Sequence, residues 1–484
     1  MRAHAHRWSL LLAAAVLSGS DGFGQTPVPT QPSSGSAIAA DGAQPSSGTG
    51  PSASALSELA VWVSEHKGQL SARAIELGPA GTKTLWASNP DLPLNPASTM
   101  KLVTAAAALD LLGGDYAFET GIYGEIVDGK AQRLVLRGHG DPSLLESDLW
   151  RLVNSLVNQG LSEVSRVLVD QSAFDEQWIP PGFEQQPKEW AAFRAPISAI
   201  ALEANSVTLN VAPAMDGNPA RVWLEPAGVA TLDGTIATNK RGSGDRVQLE
   251  LVQQGERLLA HVGGAIAEGL GRQRYSRRVE DPRLIPGWNL KALLEQRGVK
   301  VGSVSLGGSD VKARLTFTQS QPLSELLRSL GKWSDNFYAE TLFKSLGRTS
   351  PAPATSAAAA QRVLAWLAER EALPPGTRIQ NGSGLFDSNR LAASTLTRVL
   401  ELGWTNPRLM PEYTAQFAIG GTDGTLRNRF ARWKDSHSVR AKTGTLDDVI
   451  ALAGYLMREH RAPIAFAIEV NGIRGQHAEL RNRI

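Results

Sequence analysis

The chain has 484 residues, of which 42% are hydrophobic and 20% charged, a composition typical of a globular protein with two or three domains. The formal net charge is only +2, from 49 Lys and Arg against 47 Asp and Glu. That balance gives no reason to expect nucleic acid or an anionic surface as a partner. The sequence contains no cysteine, which excludes disulfides and thiolate metal sites.

The start of the chain has the pattern of a secretory signal. Arg2 and Arg7 supply a positively charged beginning, and an apolar core of about ten residues, Trp8 to Leu17, is too short for a permanent membrane anchor. A lipid anchor would require a cysteine at the cleavage site. We therefore predict a signal peptide over residues 1–24, no stable membrane anchor and a periplasmic mature protein.

Residues 25–54 consist mostly of Ser, Pro, Gly, Ala, Thr and Gln. Such a segment cannot bury enough apolar surface to order itself. We predict a disordered linker here, and a propeptide that is removed after export fits the same composition.

Folded structure is predicted to begin with a helix at residues 55–66, where apolar residues have helical spacing. Two strands at 71–76 and 84–87 follow, joined by a Gly-Pro-Ala-Gly turn. A second helix of small and apolar residues covers 103–112, and Gly113 ends it.

In the next block, apolar and polar residues alternate over short runs, as in β-strands, and there is no repeat period. We therefore predict that residues 114–315 form an inserted module. A loop rich in Trp and Pro extends from Phe174 to Pro196, and we interpret Trp178 and Trp190 as part of a packed cover rather than a substrate wall. The predicted strands of this block cover residues 118–127, 132–137, 166–170, 206–212, 221–225, 247–253 and 258–262, and its helices cover 148–158 and 290–297.

Helical patterns return near residue 322, and strands close the chain. The predicted helices begin at 322, 336, 361 and 392, and the predicted strands cover 439–445, 451–456 and 463–471.

Ser98 and Lys101 lie one helical turn apart at the start of the second helix, so their side chains share a face. A serine hydroxyl needs a base to become a good nucleophile, and lysine serves only if its pKa is lowered by an apolar setting or a second cation. The Ser-x-x-Lys pattern alone is weak. Two further copies, Ser64–Lys67 and Ser329–Lys332, are interpreted as surface coincidences.

Two more short motifs follow in a fixed order, Ser334-Asp335-Asn336 and Lys442-Thr443-Gly444. Together with Ser98-Thr99-Met100-Lys101 they form a motif set that resembles the one of penicillin-binding proteins and serine β-lactamases. The gap of 236 residues between the first two motifs resembles the class C low-molecular-mass penicillin-binding proteins, the D-Ala-D-Ala carboxypeptidase/endopeptidase family.

The resemblance covers about residue 56 to the end, and flanking segments such as Gly138-His139-Gly140-Asp141-Pro142 and Asn381-Gly382-Ser383-Gly384-Leu385 are similar to that family. It implies an α+β fold, with a serine β-lactamase/DD-peptidase-like domain built on an antiparallel sheet with helices on both sides. Residues 55–113 and 316–484 would form this discontinuous domain. Residues 114–315 would hold two smaller β-rich domains, II and III.

The resemblance also implies a role for each motif residue. Ser98 would attack the carbonyl of a D-Ala-D-Ala bond, and Lys101 would take its proton. Ser334 would relay a proton to the leaving amine, while Asn336 would hold the substrate amide and Lys101.

The third motif would complete the site. Lys442 would be a second cation that lowers the pKa of Lys101 and, with Thr443, attracts the substrate's terminal carboxylate. Gly444 would let the strand approach the substrate closely, and the backbone N–H groups of Ser98 and Thr445 would form the oxyanion hole. The implied partners are peptidoglycan stem peptides and cross-links, with β-lactam antibiotics as covalent inhibitors and no cofactor.

Simpler structural interpretations exist for the same residues. The Ser334-Asp335-Asn336 segment has the composition of a helix cap, and we interpret Asp335 itself as structural. Lys442-Thr443-Gly444 could be the end of an edge strand. His139 has no partner at ligand spacing, so no metal is expected.

Two departures from the family pattern bear on the interpretation. Many relatives carry an arginine after Gly-Ser-Gly-Leu, where this chain has Phe386-Asp387, which weakens the case for a carboxylate contact from that turn. Relatives also usually continue past the Arg-Asn-Arg-Ile segment. Either the sequence is truncated at Ile484 or the fold closes with one element fewer.

Two other functions compete with a carboxypeptidase/endopeptidase. A β-lactamase would need a base that speeds deacylation, and Ser334 stands where one β-lactamase class has a tyrosine, with no recognisable Glu-x-x-Leu-Asn segment. A catalytically silent scaffold that binds peptidoglycan would not need the intact motif set.

Overall fold

The structure, a computed structural model, describes residues 53–254, 257–349 and 351–484. It is a mixed α+β protein whose main sheet is antiparallel and lies between helices, which confirms the predicted fold class. The predicted signal peptide and all but the last two residues of the predicted linker lie outside the described residues. Within these three segments, no helix is long and apolar enough to cross a membrane.

The helices and strands are numbered in chain order. The helices are α1 (Ala53–Glu65), α2 (Met100–Leu112), α3 (Glu146–Asn158), α4 (Ile285–Gln296), α5 (Leu323–Lys332), α6 (Asn336–Leu346), α7 (Ser356–Ala368), α8 (Ala393–Thr405), α9 (Met410–Ala415) and α10 (His477–Arg483). The strands are β1 (Gln69–Gly78), β2 (Gly81–Ser88), β3 (Glu119–Gly124), β4 (Lys130–Gly138), β5 (Glu163–Asp170), β6 (Ser206–Ala212), β7 (Arg221–Glu225), β8 (Ala230–Gly234), β9 (Ala237–Asn239), β10 (Gln248–Gln254), β11 (Arg257–Gly263), β12 (Ala265–Ala267), β13 (Gln273–Arg278), β14 (Lys300–Leu306), β15 (Arg314–Gln319), β16 (Ala418–Ile419), β17 (Val439–Leu446), β18 (Val449–Leu456) and β19 (Ile464–Asn471).

One six-stranded antiparallel sheet joins the first and last parts of the chain, with strand order β16-β17-β18-β19-β1-β2. Successive side chains of a strand point to opposite faces, and both faces of this sheet are covered. Tyr455 and Ala467 belong to the face that packs on α2 and α5 to α9. Leu70 and Val470 belong to the other face, which packs on α1 and α10.

The block between α2 and α5 contains two further cores. A five-stranded sheet of order β14-β5-β4-β3-β15 packs on α3 and α4. Three smaller sheets, β10-β11-β8, β12-β9 and β13-β6-β7, enclose a second apolar cluster that includes Leu209, Ile236 and Ala260. Two cores agree with two inserted domains, although the domain division itself stays a prediction.

Most predicted elements lie within a few residues of their observed positions, and β6 and β7 match at both ends. Helix α1 begins two residues before its predicted start. The strands β8, β9 and β12 to β15 have no predicted counterpart, since they are short or polar and are defined by distant partners.

The predicted boundary at residue 315 falls inside β15, whose partner is β3 of the inserted block. The chain therefore leaves the five-stranded sheet only after Gln319, and α5 of the helix cluster on the main sheet follows.

The main sheet contains a fully buried carboxyl group. Glu469 of β19 is fully buried, on the same face as Ala467. Neither of its carboxylate oxygens has a hydrogen-bond partner among the described residues. Burial raises the pKa of Glu469 well above its usual value, because no nearby positive charge opposes the loss of solvation.

We expect Glu469→Gln to be more stable than the wild type at pH 7.5, because the wild-type carboxyl must take up a proton to be buried, whereas the amide is already neutral. The expected gain is about 1.4 kcal/mol for each unit by which folding raises the pKa. A carboxyl whose pKa is raised by folding favours the native state below its unfolded pKa and loses that contribution as pH rises. The gain should therefore shrink as pH falls toward the ordinary pKa of glutamate. Urea unfolding at several pH values measures it, and parallel pH profiles for the two proteins would contradict the assignment.

Candidate active site

Ser98 lies in the turn that leads into α2. Residues Ala97–Thr99 form one 3₁₀ turn that is continuous with the helix. Ala97 has a left-handed φ of 45°, and its N–H donates to the side-chain oxygen of Asn95 at 3.0 Å. Asn95 exchanges two further hydrogen bonds with Asn471, at 2.8 and 3.1 Å. This anchoring leaves Ser98 half-buried at the N-terminal, electropositive end of α2.

Lys101 is fully buried, and its amine reaches three oxygen atoms. Its Nζ lies 2.9 Å from Ser98 Oγ, 2.8 Å from Asn336 Oδ1 and 2.8 Å from the carbonyl oxygen of Ser383. Burial lowers the pKa of Lys101 to about 7, against the opposing negative charges of Glu340 and Asp335. The amine is therefore available in its neutral form near neutral pH.

This arrangement suits a base. A neutral amine has two N–H donors and one lone pair. The carbonyl of Ser383 and the side-chain oxygen of Asn336 can only accept hydrogen bonds, so they take the two protons. The lone pair of Lys101 is then directed at the Ser98 hydroxyl, which is the geometry that proton abstraction requires.

The second motif occupies the break between α5 and α6. Ser334 has a left-handed φ of 61°, which turns the chain between the two helices. Asp335 is the N-cap of α6 and accepts from the Tyr338 N–H at 3.1 Å, in agreement with its structural interpretation. Ser334 and Asn336 do not cap the helix, since their side chains reach Lys442 and Lys101 respectively.

Lys442 is fully buried in β17 and brings a second amine to the site. Its Nζ donates to Ser334 Oγ at 2.7 Å and to the Thr443 carbonyl at 2.8 Å. Burial, together with the charge of Lys101, lowers the pKa of Lys442 well below its usual value. The structure thus brings the three motifs into two linked pairs, Ser98 with Lys101 and Ser334 with Lys442.

The rest of the third motif lies along β17. Thr443 is half-buried and its hydroxyl donates to Thr425 at 3.0 Å, while Thr445 is exposed. Gly444 is buried, and a Cβ there would lie 2.8 Å from the carbonyl oxygen of Pro96. Glycine is therefore required here by the close approach of β17 to the turn before Ser98, and the predicted approach of the strand to the substrate stays a prediction.

Sequence reasoning missed two residues of this site, Ser383 and Glu340. Ser383 belongs to the predicted Gly-Ser-Gly turn, and its carbonyl contacts Lys101. Glu340 is a buried carboxylate on α6 that accepts from the N–H groups of Gly382 and Ser383. The available signal was its position four residues after Asn336, which places both side chains on one face of the helix.

Phe386 and Asp387, the two residues that depart from the family pattern, make packing and polar contacts within the protein. Phe386 is buried, with its ring 5.8 Å from that of Phe183. Asp387 pairs with Arg390, and its Oδ1 accepts from Asn95 at 3.2 Å. This turn therefore supports the segment before Ser98.

The Trp- and Pro-rich loop covers one side of the site. The Phe193 carbonyl accepts from Asn336 Nδ2 at 3.1 Å. Trp178 lies under the guanidinium of Arg283 at 4.4 Å, and Trp190 under Arg278 at 4.3 Å. Trp178 is half-buried, as in a packed cover, whereas Trp190 is 39% exposed.

The other singled-out residues lie apart from this cluster. Ser64 and Lys67 are exposed, as predicted, whereas Lys332 is not a surface residue: it is half-buried and pairs with Asp423 at 2.5 Å. His139 is a half-buried loop residue whose pKa is lowered by burial and by nearby arginines. In the part of the chain that the structure describes, no three His, Asp or Glu side chains are placed to hold a metal ion.

The geometry predicts that Lys101 titrates near pH 7, because burial outweighs the two carboxylates near it. We expect NMR of isotope-labelled lysine side chains to show one resonance with a midpoint of about 7, absent from the Lys101→Met spectrum. If the resonance missing from the variant titrates above about pH 9, as ordinary lysines do, the base geometry is wrong.

Comparison with known proteins identifies the family of this chain. A family model described as the D-Ala-D-Ala carboxypeptidase 3 (S13) family matches residues 57–484. The chain is 32% identical over 404 residues to a D-alanyl-D-alanine carboxypeptidase of Actinomadura sp. (strain R39), which covers 79% of this chain and 74% of the relative.

Solved structures show the same fold. The crystal structure of penicillin binding protein 4 (dacB) from Haemophilus influenzae has a TM-score of 0.72 at 22% identity, over 87% of this chain and 97% of that chain. The structure of the same protein complexed with a novel β-lactam has a TM-score of 0.68 at 23% identity, with the same coverage. The match over nearly the whole described chain shows that it belongs to the D-Ala-D-Ala carboxypeptidase 3 (S13) family of serine peptidases.

Proposed function

We propose that this carboxypeptidase acts through an acyl-enzyme on Ser98, and that the same site also cleaves peptidoglycan cross-links as a DD-endopeptidase. The observation that supports the proposal best is the contact of Lys101 with Ser98 at 2.9 Å inside a fully buried, acceptor-lined setting. A serine next to an amine of lowered pKa is an activated nucleophile.

Acylation begins with transfer of the Ser98 proton to the neutral Lys101 amine. The Ser98 oxygen attacks the carbonyl carbon of the penultimate D-Ala, and the carbonyl oxygen becomes an oxyanion. By family resemblance, the backbone N–H groups of Ser98 and Thr445 stabilise it. Asn336, already bonded to Lys101, lies where it can also hold the substrate amide.

Departure of the leaving group needs a proton on its nitrogen, and Ser334 is placed to relay one. Its hydroxyl accepts from Lys442 at 2.7 Å, so it can donate its own proton to the amine while Lys442 replaces it. The C–N bond breaks and the free amine leaves. Water then attacks the Ser98 ester and gives up a proton, through Ser334, to the Lys442 amine. Lys101 returns to Ser98 the proton that it took, which releases the shortened peptide and restores the serine and both lysines.

The open edge of β17 supports binding of an extended peptide. β16 pairs with β17 only through Ala418 and Ile419, opposite Ala441 and Arg440. Among the described residues, no strand covers the edge from Lys442 onward. A peptide can add there by backbone hydrogen bonds, with its terminal carboxylate toward Thr443 and the positive field of Lys442.

Cross-link cleavage needs no second site. In a D-Ala-diaminopimelate cross-link the leaving amine also stands on a D-centre that carries a carboxylate, so the bond presents the same groups to β17. We therefore propose peptidoglycan stem peptides and cross-links as substrates. β-Lactams, whose strained amide mimics the reacting carbonyl, would acylate Ser98 covalently.

The competing functions gain no support from the geometry. A silent scaffold would not need two buried amines, each bonded to a serine hydroxyl. For a β-lactamase, the sequence argument against a deacylating base stands. We place the reaction in the periplasm because its proposed substrate is the cell wall and the chain begins with a predicted signal peptide.

We predict that Ser98→Ala abolishes covalent labelling by a fluorescent penicillin while the protein stays folded, because a helix tolerates alanine well. Ser64→Ala, in an exposed copy of the motif, is the matched control and should label like the wild type. Gel fluorescence with circular dichroism measures both. Labelling of a folded Ser98→Ala protein would exclude Ser98 as the nucleophile.

Lys442→Ala should lower carboxypeptidase and endopeptidase activity together, each by roughly 100-fold, because one cation serves both reactions. The wild type and Lys442→Ala each digest purified sacculi and pentapeptide monomers. The cross-linked dimers that remain report endopeptidase activity, and the D-Ala released reports carboxypeptidase activity. Lys83→Ala, an exposed lysine on β2, controls for loss of charge alone. Loss of one activity with the other intact would show two binding modes and contradict a single site.

A further inference from the structure

Glu340 is a fully buried carboxylate that follows the second motif closely in sequence. It lies one helical turn after Asn336 on α6, so the two side chains share a face of that helix. Its Oε2 accepts from the Gly382 N–H at 3.1 Å and its Oε1 from the Ser383 N–H at 2.8 Å. Both oxygens of a fully buried carboxylate are thus used on two successive backbone amides.

The carbonyl groups of the same two residues point at α2. The Gly382 carbonyl accepts from Thr104 Oγ1 at 2.8 Å, and the Ser383 carbonyl accepts from Lys101 Nζ at 2.8 Å. Thr104 lies three residues after Lys101, on the same face of α2. The turn therefore bridges α6 and α2, with its N–H groups on Glu340 and its carbonyls on the helix that carries the base.

Close packing holds the bridge in place. A Cβ on Gly382 would lie 2.3 Å from the Cβ of Phe343 and 2.6 Å from the carbonyl oxygen of Ala339, both on α6. Only glycine lets the turn approach α6 this closely. That approach brings the two N–H groups within reach of Glu340.

We propose that Glu340 is a positioning residue of the reaction: it holds the Gly382–Ser383 turn so that the Ser383 carbonyl takes one proton of the Lys101 amine and leaves its lone pair on Ser98. This inference rests on the proposed role of Lys101 as the base. Glu340 touches neither Ser98 nor the substrate edge of β17, so it acts through the turn.

The charge of Glu340 matters as well as its hydrogen bonds. The groups that face Lys101 are Glu340 on α6, Asp335 before α6 and the Lys442 amine on β17. Glu340 and Asp335 raise the pKa of Lys101, while burial lowers it. Removal of the Glu340 charge should lower the pKa of Lys101 further, so that the amine becomes neutral at a lower pH.

The test compares the acylation rate by a chromogenic β-lactam across pH for the wild type, Glu340→Gln and Glu340→Asp. Glutamine offers one acceptor to two N–H donors, so we expect acylation to fall roughly 10- to 100-fold, as for loss of a hydrogen bond to a charged group. The rising limb of its pH profile should move to lower pH. The Glu340→Asp variant keeps the charge, but its side chain is one methylene shorter. Its acylation rate should therefore fall, while the rising limb of its pH profile stays at the wild-type pH.

Glu469→Gln is the matched control, because it makes the same substitution at another fully buried glutamate, one that has no hydrogen-bond partner among the described residues. Its acylation profile should equal that of the wild type. Crystal structures of Glu340→Gln and Glu340→Asp add a readout without turnover, in which the distance from Lys101 Nζ to the Ser383 oxygen should lengthen beyond 3.5 Å.

Folded Glu340 variants with wild-type rate, an unmoved limb and an unchanged Lys101–Ser383 distance would overturn the proposal. Failure of the proposed function gives a different result, a wild-type protein with no Ser98-dependent acyl-enzyme. In that case the crystal distance alone still decides whether Glu340 positions the turn.

Discussion

The site depends on one constraint, that a fully buried lysine amine must find a partner for each of its polar positions. Lys101 meets it with Ser98 in the turn before its helix, with Asn336 at a sequence distance of 235 residues and with the Ser383 carbonyl at a distance of 282. These oxygens converge only when the main sheet and its helix cluster are assembled. The same contacts therefore stabilise the fold and activate the nucleophile. A shift of α6 or of the Gly-Ser-Gly turn would remove hydrogen-bond partners from the Lys101 amine, and Ser98 would lose its base.

Helix α6 connects this amine to the rest of the molecule through three polar residues at intervals of four. Asn336 contacts Lys101, Glu340 holds the Gly382–Ser383 turn, and Lys344 pairs with Asp175 at 2.5 Å and donates to the Gln177 carbonyl at 2.7 Å. The last contact ties α6 to the aromatic cover loop of the inserted block. A long insertion between two motifs is thus compatible with a rigid site, because the helix that carries the second motif also binds the insertion.

Sequence reasoning could predict those parts of this structure that are set by neighbours in the chain. Ser98 and Lys101 share one helical turn, and β6 was delimited at both ends by its own alternation. The pairing of Lys442 with Ser334 has no local signal, and only the family's order of motifs pointed to it. The strands β14 and β15 could not be predicted, because their registers are set by β5 and β3, more than a hundred residues away.

Two glutamates show why a buried charge cannot be interpreted from sequence alone. Glu340 and Glu469 each interrupt an apolar run, each is fully buried, and burial raises the pKa of both. Glu340 receives two backbone N–H groups and has the Lys101 amine near it, so its desolvation is offset by specific contacts. Glu469 has neither among the described residues, so the same desolvation remains as a cost to the native state. Burial sets the size of the electrostatic effect, and the tertiary partners decide whether it serves the reaction or only weakens the fold.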